Sequence, residues 1–497
     1  MKKIFLAFLL ITAVQFGCTK LDDELYDRIP ADEYTADPII LMSPIYAPMR
    51  EFLDWGGWWF AQELTGDAVV CPTRGGDWDD GGKWRVLHTH TWDNNTEAIN
   101  SMWSRFYNGV LAANEFIETQ QEFAGDSIVD NALAKARILR AYYYYLLIDN
   151  YGDVPYVTQY LGAPEQPMRN FRAEIFNQIV KEVEDNVGLI VTNNTKTGLS
   201  KGAAFSLLAK LYLNHAVYTG TLDPAYWGKA EAVCDSVINL GQYSLEDDAL
   251  APFITANENS PENIWAIPFD EDTYTGHNLH MRTLHYNSNL TFEMVVGPWN
   301  GFAVMYDHFN TYEDGDRRKD GFLVGQQYTF SGEPIMDQGA GGIPLVFNPF
   351  IPALDLNGYT PEEIRNSGAR VVKFEVKRGA KDNLSNDFPI FRYADVLLMK
   401  AEALIRQGKN GDEYVNLIRE RAGLTPWTGV TLDQLLEERG RELFWEAHRR
   451  QDLIRFGKFN EPWWEKAAST PDRQTFPIPQ WAIDSNPNLA QPPVAIE

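Results

Sequence analysis

Cysteine is scarce in this chain: Cys18, Cys71 and Cys234 are the only thiols in 497 residues. Three cysteines cannot build a disulfide framework, and no pair has the spacing of a metal site. Basic residues are also in short supply, with 43 Lys+Arg against 69 Asp+Glu and a formal net charge of −26. Phosphate binding needs a dense Lys/Arg surface, so this balance argues against nucleic acid as a partner. Attraction to anionic lipid headgroups is disfavoured for the same reason. No apolar run reaches the length of a transmembrane helix. A His-Glu-x-x-His helix, a Gly-rich phosphate loop and a nucleophile elbow are all missing. The eight His are scattered, and only His88 and His90 stand two apart. Neither a metal nor a cofactor is expected.

Apolar material is plentiful: hydrophobic residues make up 44% and aromatics 13%, with 15 Trp. A chain so composed buries a large core. Met1-Lys2-Lys3 followed by the apolar run Ile4 to Val14 reads as a secretory signal peptide over residues 1–17. The run ends at Gln15-Phe16-Gly17-Cys18, a small residue directly before a cysteine, as in a bacterial lipoprotein signal. Cys18 is then the lipidated amino terminus, followed by the acidic cluster Asp22-Asp23-Glu24. An ordinary signal peptide with an incidental cysteine is the alternative. Acyl chains tether a protein firmly, each buried CH₂ contributing about 0.8 kcal/mol. Cys234 lies on the apolar stripe Ala230, Val233, Val237, Ile238 and is expected to fill core. A 71–234 disulfide stays open.

Helical periodicity dominates two stretches. Ile99, Met102, Trp103, Phe106, Val110 and Leu111 recur at three- and four-residue steps, predicting a helix over 99–121. Further helices are expected over 131–151 (apolar nearly all round and ending at Gly152), 172–187, 201–218 and 227–240. The Ala-rich pair 201–218 and 227–240 has the size of one tetratricopeptide unit. From about 242 to 388 the period fades into Gly, Pro, Asn and Asp, which usually marks binding loops on a rigid scaffold. Helices return over 391–406, 412–421 and 431–456. The fold class is therefore mainly α: helical hairpins, about 99–240 plus 391–456, packed with a loop-rich region at about 50–98 and 242–388.

Many motifs in order carry a resemblance. They include Trp103-Ser-Arg-Phe-Tyr-Asn-Gly-Val-Leu-Ala-Ala-Asn114, Arg137-Ile-Leu-Arg-Ala-Tyr-Tyr-Tyr-Tyr145 and Tyr151-Gly-Asp-Val-Pro155. Phe391-Arg-Tyr-Ala-Asp-Val-Leu-Leu-Met-Lys-Ala-Glu-Ala403, Arg450-Gln-Asp-Leu-Ile-Arg-Phe-Gly457 and Phe476-Pro-Ile-Pro479 follow. With the lipoprotein signal, this series resembles the SusD/RagB family of outer-membrane nutrient-binding lipoproteins nearly end to end. The one departure is Asn488-Leu-Ala-Gln491, which runs on to Pro492-Pro493. The resemblance implies a cell-surface, lipid-anchored protein that captures oligo- or polysaccharide without catalysis. It implies delivery to a TonB-dependent, SusC-like outer-membrane transporter.

The loop-rich segment 54–95 carries Trp55, Trp58, Trp59, Trp78, Trp84 and Trp92 among Asp, Arg, His and Asn. Flat rings match the C–H faces of sugars, and polar side chains match their hydroxyls. Trp55, Trp58 and Trp59 can equally be core. By position in the resembled family, the ligand-contacting candidates are Asp67, Arg74, Trp84, His90, Trp92 and Asn95, with Trp299 as a second platform. Two other classes stay open. A surface glycoside hydrolase would share the aromatics and acidity but needs a facing carboxylate pair. A peptide- or protein-binding scaffold would share the hairpins. Two acidic clusters have plainer readings. The run Glu438 to Asp452 reads as ion pairing on one helix. Asp314-Gly315-Asp316 reads as a turn, because it lacks the further ligands of a calcium loop.

Overall fold

The computed structural model describes residues 37–191 and 195–496. The expected signal peptide and Cys18 lie outside the described residues. The chain divides into a unit over 1–41 and a unit over 42–497. Of the first, Pro38–Leu41 forms one helical turn. Everything below concerns the second.

Eight helices of ten or more residues occur among the described residues: α1 Glu97–Gln120, α2 Ser127–Tyr151, α3 Arg172–Val187, α4 Lys201–Leu213, α5 Ala225–Asn239, α6 Tyr393–Arg406, α7 Asp412–Arg421 and α8 Leu432–Glu442. Three of them begin at a side-chain cap. Asp126 accepts the Ile128 and Val129 N–H groups ahead of α2, and Ser200 accepts that of Ala203 ahead of α4. Thr431 and Gln434 form a reciprocal capping box on α8. Such caps satisfy backbone donors that a first turn leaves unpaired. The expected 201–218 helix breaks at Asn214, whose Nδ2 bonds the Lys210 carbonyl, and a separate turn His215–Thr219 follows.

The helices stack in sequence: α1 on α2, α2 on α3, α3 on α4 and α4 on α5. The stack then passes from α5 directly to α6, and from α6 to α7 and α8. The two hairpin stretches are thus one scaffold, with residues 242–388 inserted between consecutive layers. An antiparallel ladder closes the base of the insertion: β1 Asn263–Ile267 pairs with β2 Phe388–Arg392. Helix α2 is the buried axis, with Tyr142 to Tyr145 all inside. Three of their hydroxyls are bonded: Tyr143 donates to the Ile45 carbonyl, Tyr144 donates to the Val157 carbonyl, and Tyr145 accepts from Gln451. Gly109 of α1 lets that axis approach, because any Cβ there would collide with the Tyr143 ring. Cys71 and Cys234 are separate, buried free thiols, and Cys234 fills core.

The expected helix over 431–456 is two helices, and the reason is tertiary. After α8 the chain turns through Trp445 (φ 71°) and Ala447 (φ 65°), and a second helix runs over Arg449–Arg455. Distant groups hold this turn. Lys373 Nζ donates to the carbonyls of Glu442 and Phe444 at 2.9 and 2.8 Å, and Glu63 accepts the Ala447 N–H at 2.6 Å. Glu446 therefore leaves the helical row and pairs with Arg392 and Lys373, both at 2.6 Å. The charged run is a buried ion-pair network joining Glu262, Arg318, Arg392, Arg421, Glu438 and Glu442. Asp316 belongs to it as well: it caps a turn through the Arg318 N–H and pairs with the Arg318 guanidinium at 2.8 Å.

Candidate functional site

Two loops of the irregular region meet over the helical turn Trp58–Leu64. One carries Trp55 to Trp84, and the other carries Trp299 to Phe302. The second loop is fastened from below. Trp299 donates its N–H to the Met281 carbonyl at 2.7 Å, while Gly301 and Phe302 both donate to the Arg282 carbonyl at 2.8 Å. The indole N–H of Trp78 bonds the Trp299 carbonyl at 2.7 Å, locking the loops together. That contact demands unusual backbone. Trp78 and Asn300 both have left-handed φ, 62° and 56°, a conformation costing on the order of 1–3 kcal/mol each. Gly301 is obligatory beside them, since a Cβ there would enter the Trp78 ring.

The product is a cluster of rings that is part core and part surface. Trp59, Phe60 and Phe302 are sealed, and Trp78 and Trp84 are nearly so. Trp55 and Trp299 are only half-buried. Trp55 meets Trp84 and Trp299 edge-on, with centroids 5.1 and 6.4 Å apart. Two cations sit against this pair. Lys83 Nζ lies 4.7 Å from the Trp55 centroid, and the Arg282 guanidinium lies 4.9 Å from Trp55 and 5.7 Å from Trp299. Among the described residues no carboxylate pairs with Arg282, and burial lowers its pKa to about 9. Polar groups adjoin Trp78 through its chain neighbour Asp77. Asp77 accepts the Tyr286 hydroxyl, and Arg365 covers the Tyr286 ring at 4.7 Å. Burial, reinforced by Asp77, pushes the Tyr286 phenol up to about 12, so it stays a hydrogen-bonding hydroxyl at neutral pH.

The seven sequence candidates divide. Trp299 and Trp84 enter the cluster, Trp84 from inside with its indole N–H on Asp80 at 2.7 Å. Arg74 supports it: buried, it donates to the carbonyls of Gly301, Ile364 and Ser367 at 2.8–3.1 Å. Asp67 makes a two-pronged ion pair with Arg449 at 2.6 and 2.8 Å. His90 stacks on Phe459 at 4.3 Å, with its nitrogens on Ser469 and the Thr65 carbonyl, and burial lowers its pKa to about 3. Trp92 is 2% exposed, packed edge-on against Phe476. Asn95 is exposed and bonds Asn94. His90 and Trp92 thus pack with the C-terminal segment 459–476, apart from Trp55 and Trp299 in their contacts. Sequence reasoning missed Arg282 and Tyr286 outright. The available signal for Trp55 was its place in Asp54-Trp55-Gly56-Gly57, where a core residue gains nothing from flanking glycines.

A concave feature of about 380 Å³ is lined by Leu250, Ile254, Phe292 and Val376, and a groove of about 370 Å³ on the hairpin scaffold is lined by Trp103, Tyr107, Leu111 and Trp481. Its walls are chiefly apolar, whereas the Trp55–Trp299 patch pairs rings with hydroxyl-binding groups. Among the described residues, no group of three or more His, Cys, Asp or Glu is arranged to hold a metal, and no helix is long and apolar enough to cross a membrane.

Fold and patch together define a helical-hairpin scaffold that presents an aromatic and polar surface on inserted loops. The chain belongs to the SusD/RagB family. A model described as the SusD family matches residues 357–472, and one described as starch-binding and associating with the outer membrane matches residues 76–213. The starch-binding protein SusD of Bacteroides thetaiotaomicron is 24% identical over 465 residues, covering 83% of this chain and 82% of that relative. Among solved structures, a SusD superfamily protein from Parabacteroides distasonis superposes with a TM-score of 0.75 at 21% identity, covering 93% of this chain and 99% of the other. Surface glycan-binding protein A from Bacteroides thetaiotaomicron, in complex with laminarihexaose, gives 0.71 at 19% identity, covering 90% and 97%.

Proposed function

We infer that the protein is a glycan-binding surface lipoprotein and that the Trp55–Trp299 patch is its ligand platform. The observation that carries this reading is the half-buried pair of indoles with the cations Lys83 and Arg282 against their rings. Rings of this kind stack on sugar faces, and the surrounding donors and acceptors match hydroxyls. The relatives named as starch-binding or bound to laminarihexaose support it. Binding without catalysis is favoured by the nearby carboxylates, each already engaged: Asp77 by Tyr286, Asp79 by Arg85 and Asp80 by Trp84. A hydrolase needs two such groups free to face the scissile bond, about 5–10 Å apart. The test is affinity electrophoresis against starch, laminarin and xyloglucan. Retardation by at least one, with no new reducing ends released, is expected. Migration unchanged in all three would reject the reading, and released reducing ends would make the protein a hydrolase.

The same reading makes residues 1–17 a signal peptide, Cys18 the lipid anchor, and a TonB-dependent transporter the recipient of bound glycan. Family membership and Gly17-Cys18 support it. In mild-detergent extracts the wild-type protein is expected in the outer-membrane fraction together with such a transporter. Cys18→Ala is expected in the soluble fraction, because the acyl chains are the hydrophobic anchor. Membrane retention of Cys18→Ala in cells lacking the transporter counts against the anchor. Recovery of the wild type alone counts against the partner.

A further inference from the structure

A second exposed ring lies beyond the patch, and its surroundings are built. Phe330 caps a tight hairpin in which Thr329 donates to the Glu333 carbonyl at 2.8 Å and Gly332 to that of Thr329 at 2.9 Å. The Phe330 N–H is itself tied to the Leu290 carbonyl at 3.0 Å. The residue is 53% exposed, although the hairpin that bears it is cross-linked on both sides. The Arg378 guanidinium covers one face of the ring at 4.1 Å from the centroid, and Glu293 pairs with that guanidinium. Two further backbone bonds, Gly379 to Phe292 at 2.8 Å and Val295 to Ala380 at 3.1 Å, join the segments carrying Arg378 and Glu293. Three chain segments therefore converge to hold one solvent-facing ring, its cation and a carboxylate. That is the chemistry of the Trp55–Trp299 patch repeated, with Thr329 and Ser331 hydroxyls at its edge.

The two features are neighbours along the surface. Glu293 and Trp299 are six residues apart, so the chain between them spans at most about 20 Å. Val295, 71% exposed, and Val296 lie on that path. An apolar side chain held this open on a tethered loop gains nothing from the core. With the two ring-and-cation clusters at the ends of this short segment, the exposed apolar contacts are spread along the chain rather than gathered in one pocket.

We propose that Phe330 with Arg378 is a distal subsite for a polymeric glycan, so that the protein selects chains of several sugar units over short oligosaccharides. This rests on the glycan reading of the Trp55–Trp299 patch. Two such clusters engage a long chain at two places, and the second contact becomes intramolecular once the first has formed. A di- or trisaccharide held at Trp299 gains nothing from Phe330.

The test uses the polysaccharide among starch, laminarin and xyloglucan that retards the wild-type protein, together with its size-fractionated oligosaccharides. Calorimetric titration of Phe330→Ala is expected to show affinity for the long chain reduced about five- to tenfold, as for loss of one ring contact. Affinity for the shortest bound fragment should be unchanged. Arg378→Ala should reproduce the split more weakly, and Trp299→Ala should weaken long and short ligands alike. Equal affinity of wild type and Phe330→Ala for the long chain would overturn the distal subsite while leaving the patch standing. An equal loss for long and short ligands would overturn it too, by making Phe330 part of the main platform. Unaltered binding by Trp299→Ala would instead overturn the patch, and retardation of the wild type by none of the three polysaccharides would overturn both. Because Phe330 is exposed, its melting temperature should match the wild type, and a fall of more than a few degrees would mark it as structural.

Discussion

Arg392→Met is expected to destabilise the fold by about 3–5 kcal/mol, the scale seen when one partner of a buried ion pair is removed. Arg392 is 1% exposed and serves three carboxylates at once: Glu262, Glu442 at 3.1 Å and Glu446 at 2.6 Å. Without it, Glu262 keeps Arg421, Glu446 keeps Lys373, and Glu442 keeps Arg421 and Arg318, each shared with other carboxylates. The three buried carboxylates then lose the one cation common to all of them. The same residue joins the layers, since it ends β2 directly before α6 and donates to the Glu442 carbonyl where α8 stops. Urea denaturation of wild type and variant measures the loss. The sign of its pH dependence is also determined. Although burial opposes it, Arg421, Arg392 and Arg318 hold the Glu442 carboxyl well below the usual range. A carboxylate with a depressed folded pKa stabilises above its unfolded value and loses that stabilisation as pH falls through the folded one. The wild type should therefore weaken on acidification below the ordinary carboxylate range, and Arg392→Met should show a shallower acid slope. A variant as stable as the wild type at neutral pH would mean the network contributes specificity rather than stability.

Trp92→Ala and Trp299→Ala are expected to fail in opposite ways. Trp92 is sealed against Phe476 and His90, with Arg473 bonded to its carbonyl at 2.7 Å. Truncation opens a cavity between the 84–95 loop and the C-terminal segment, at a cost of about 3–5 kcal/mol. Affinity per folded molecule should survive. Trp299 keeps an exposed face, and the bonds that hold its loop are made by backbone atoms that Ala retains. Its truncation should cost less stability than that of Trp92. It should reduce glycan affinity tenfold or more, the size of an interface hot spot above about 1 kcal/mol. Melting temperature and affinity measured on both variants decide the assignment. If Trp92→Ala lowers affinity at unchanged stability, the platform lies at Trp92 and not at Trp299.

Much of the scaffold was legible before any coordinates. Helices 172–187 and 412–421 begin and end where the sequence reading places them, because an amphipathic stripe is a local property. The insertion 242–388 was legible for the opposite reason: it has no period. The ion-pairing role of the charged run was readable from the spacing of its acidic and basic residues. Its geometry was not.

What the sequence determined by itself, then, is the hairpin scaffold, the family and the pool of aromatic residues from which a site could be drawn. Only the tertiary structure decided which of those rings meet solvent. Trp55 and Trp92 each stand beside an aspartate in loop-like sequence, yet one is only half-buried and the other is covered by Phe476, nearly 400 positions downstream. The break between Glu442 and Arg449 was hidden for the same reason, since Glu63 and Lys373 impose it from distant segments. Periodicity reports what a residue does to its own helix. Burial in loops is a long-range property, and no window of sequence contains both partners.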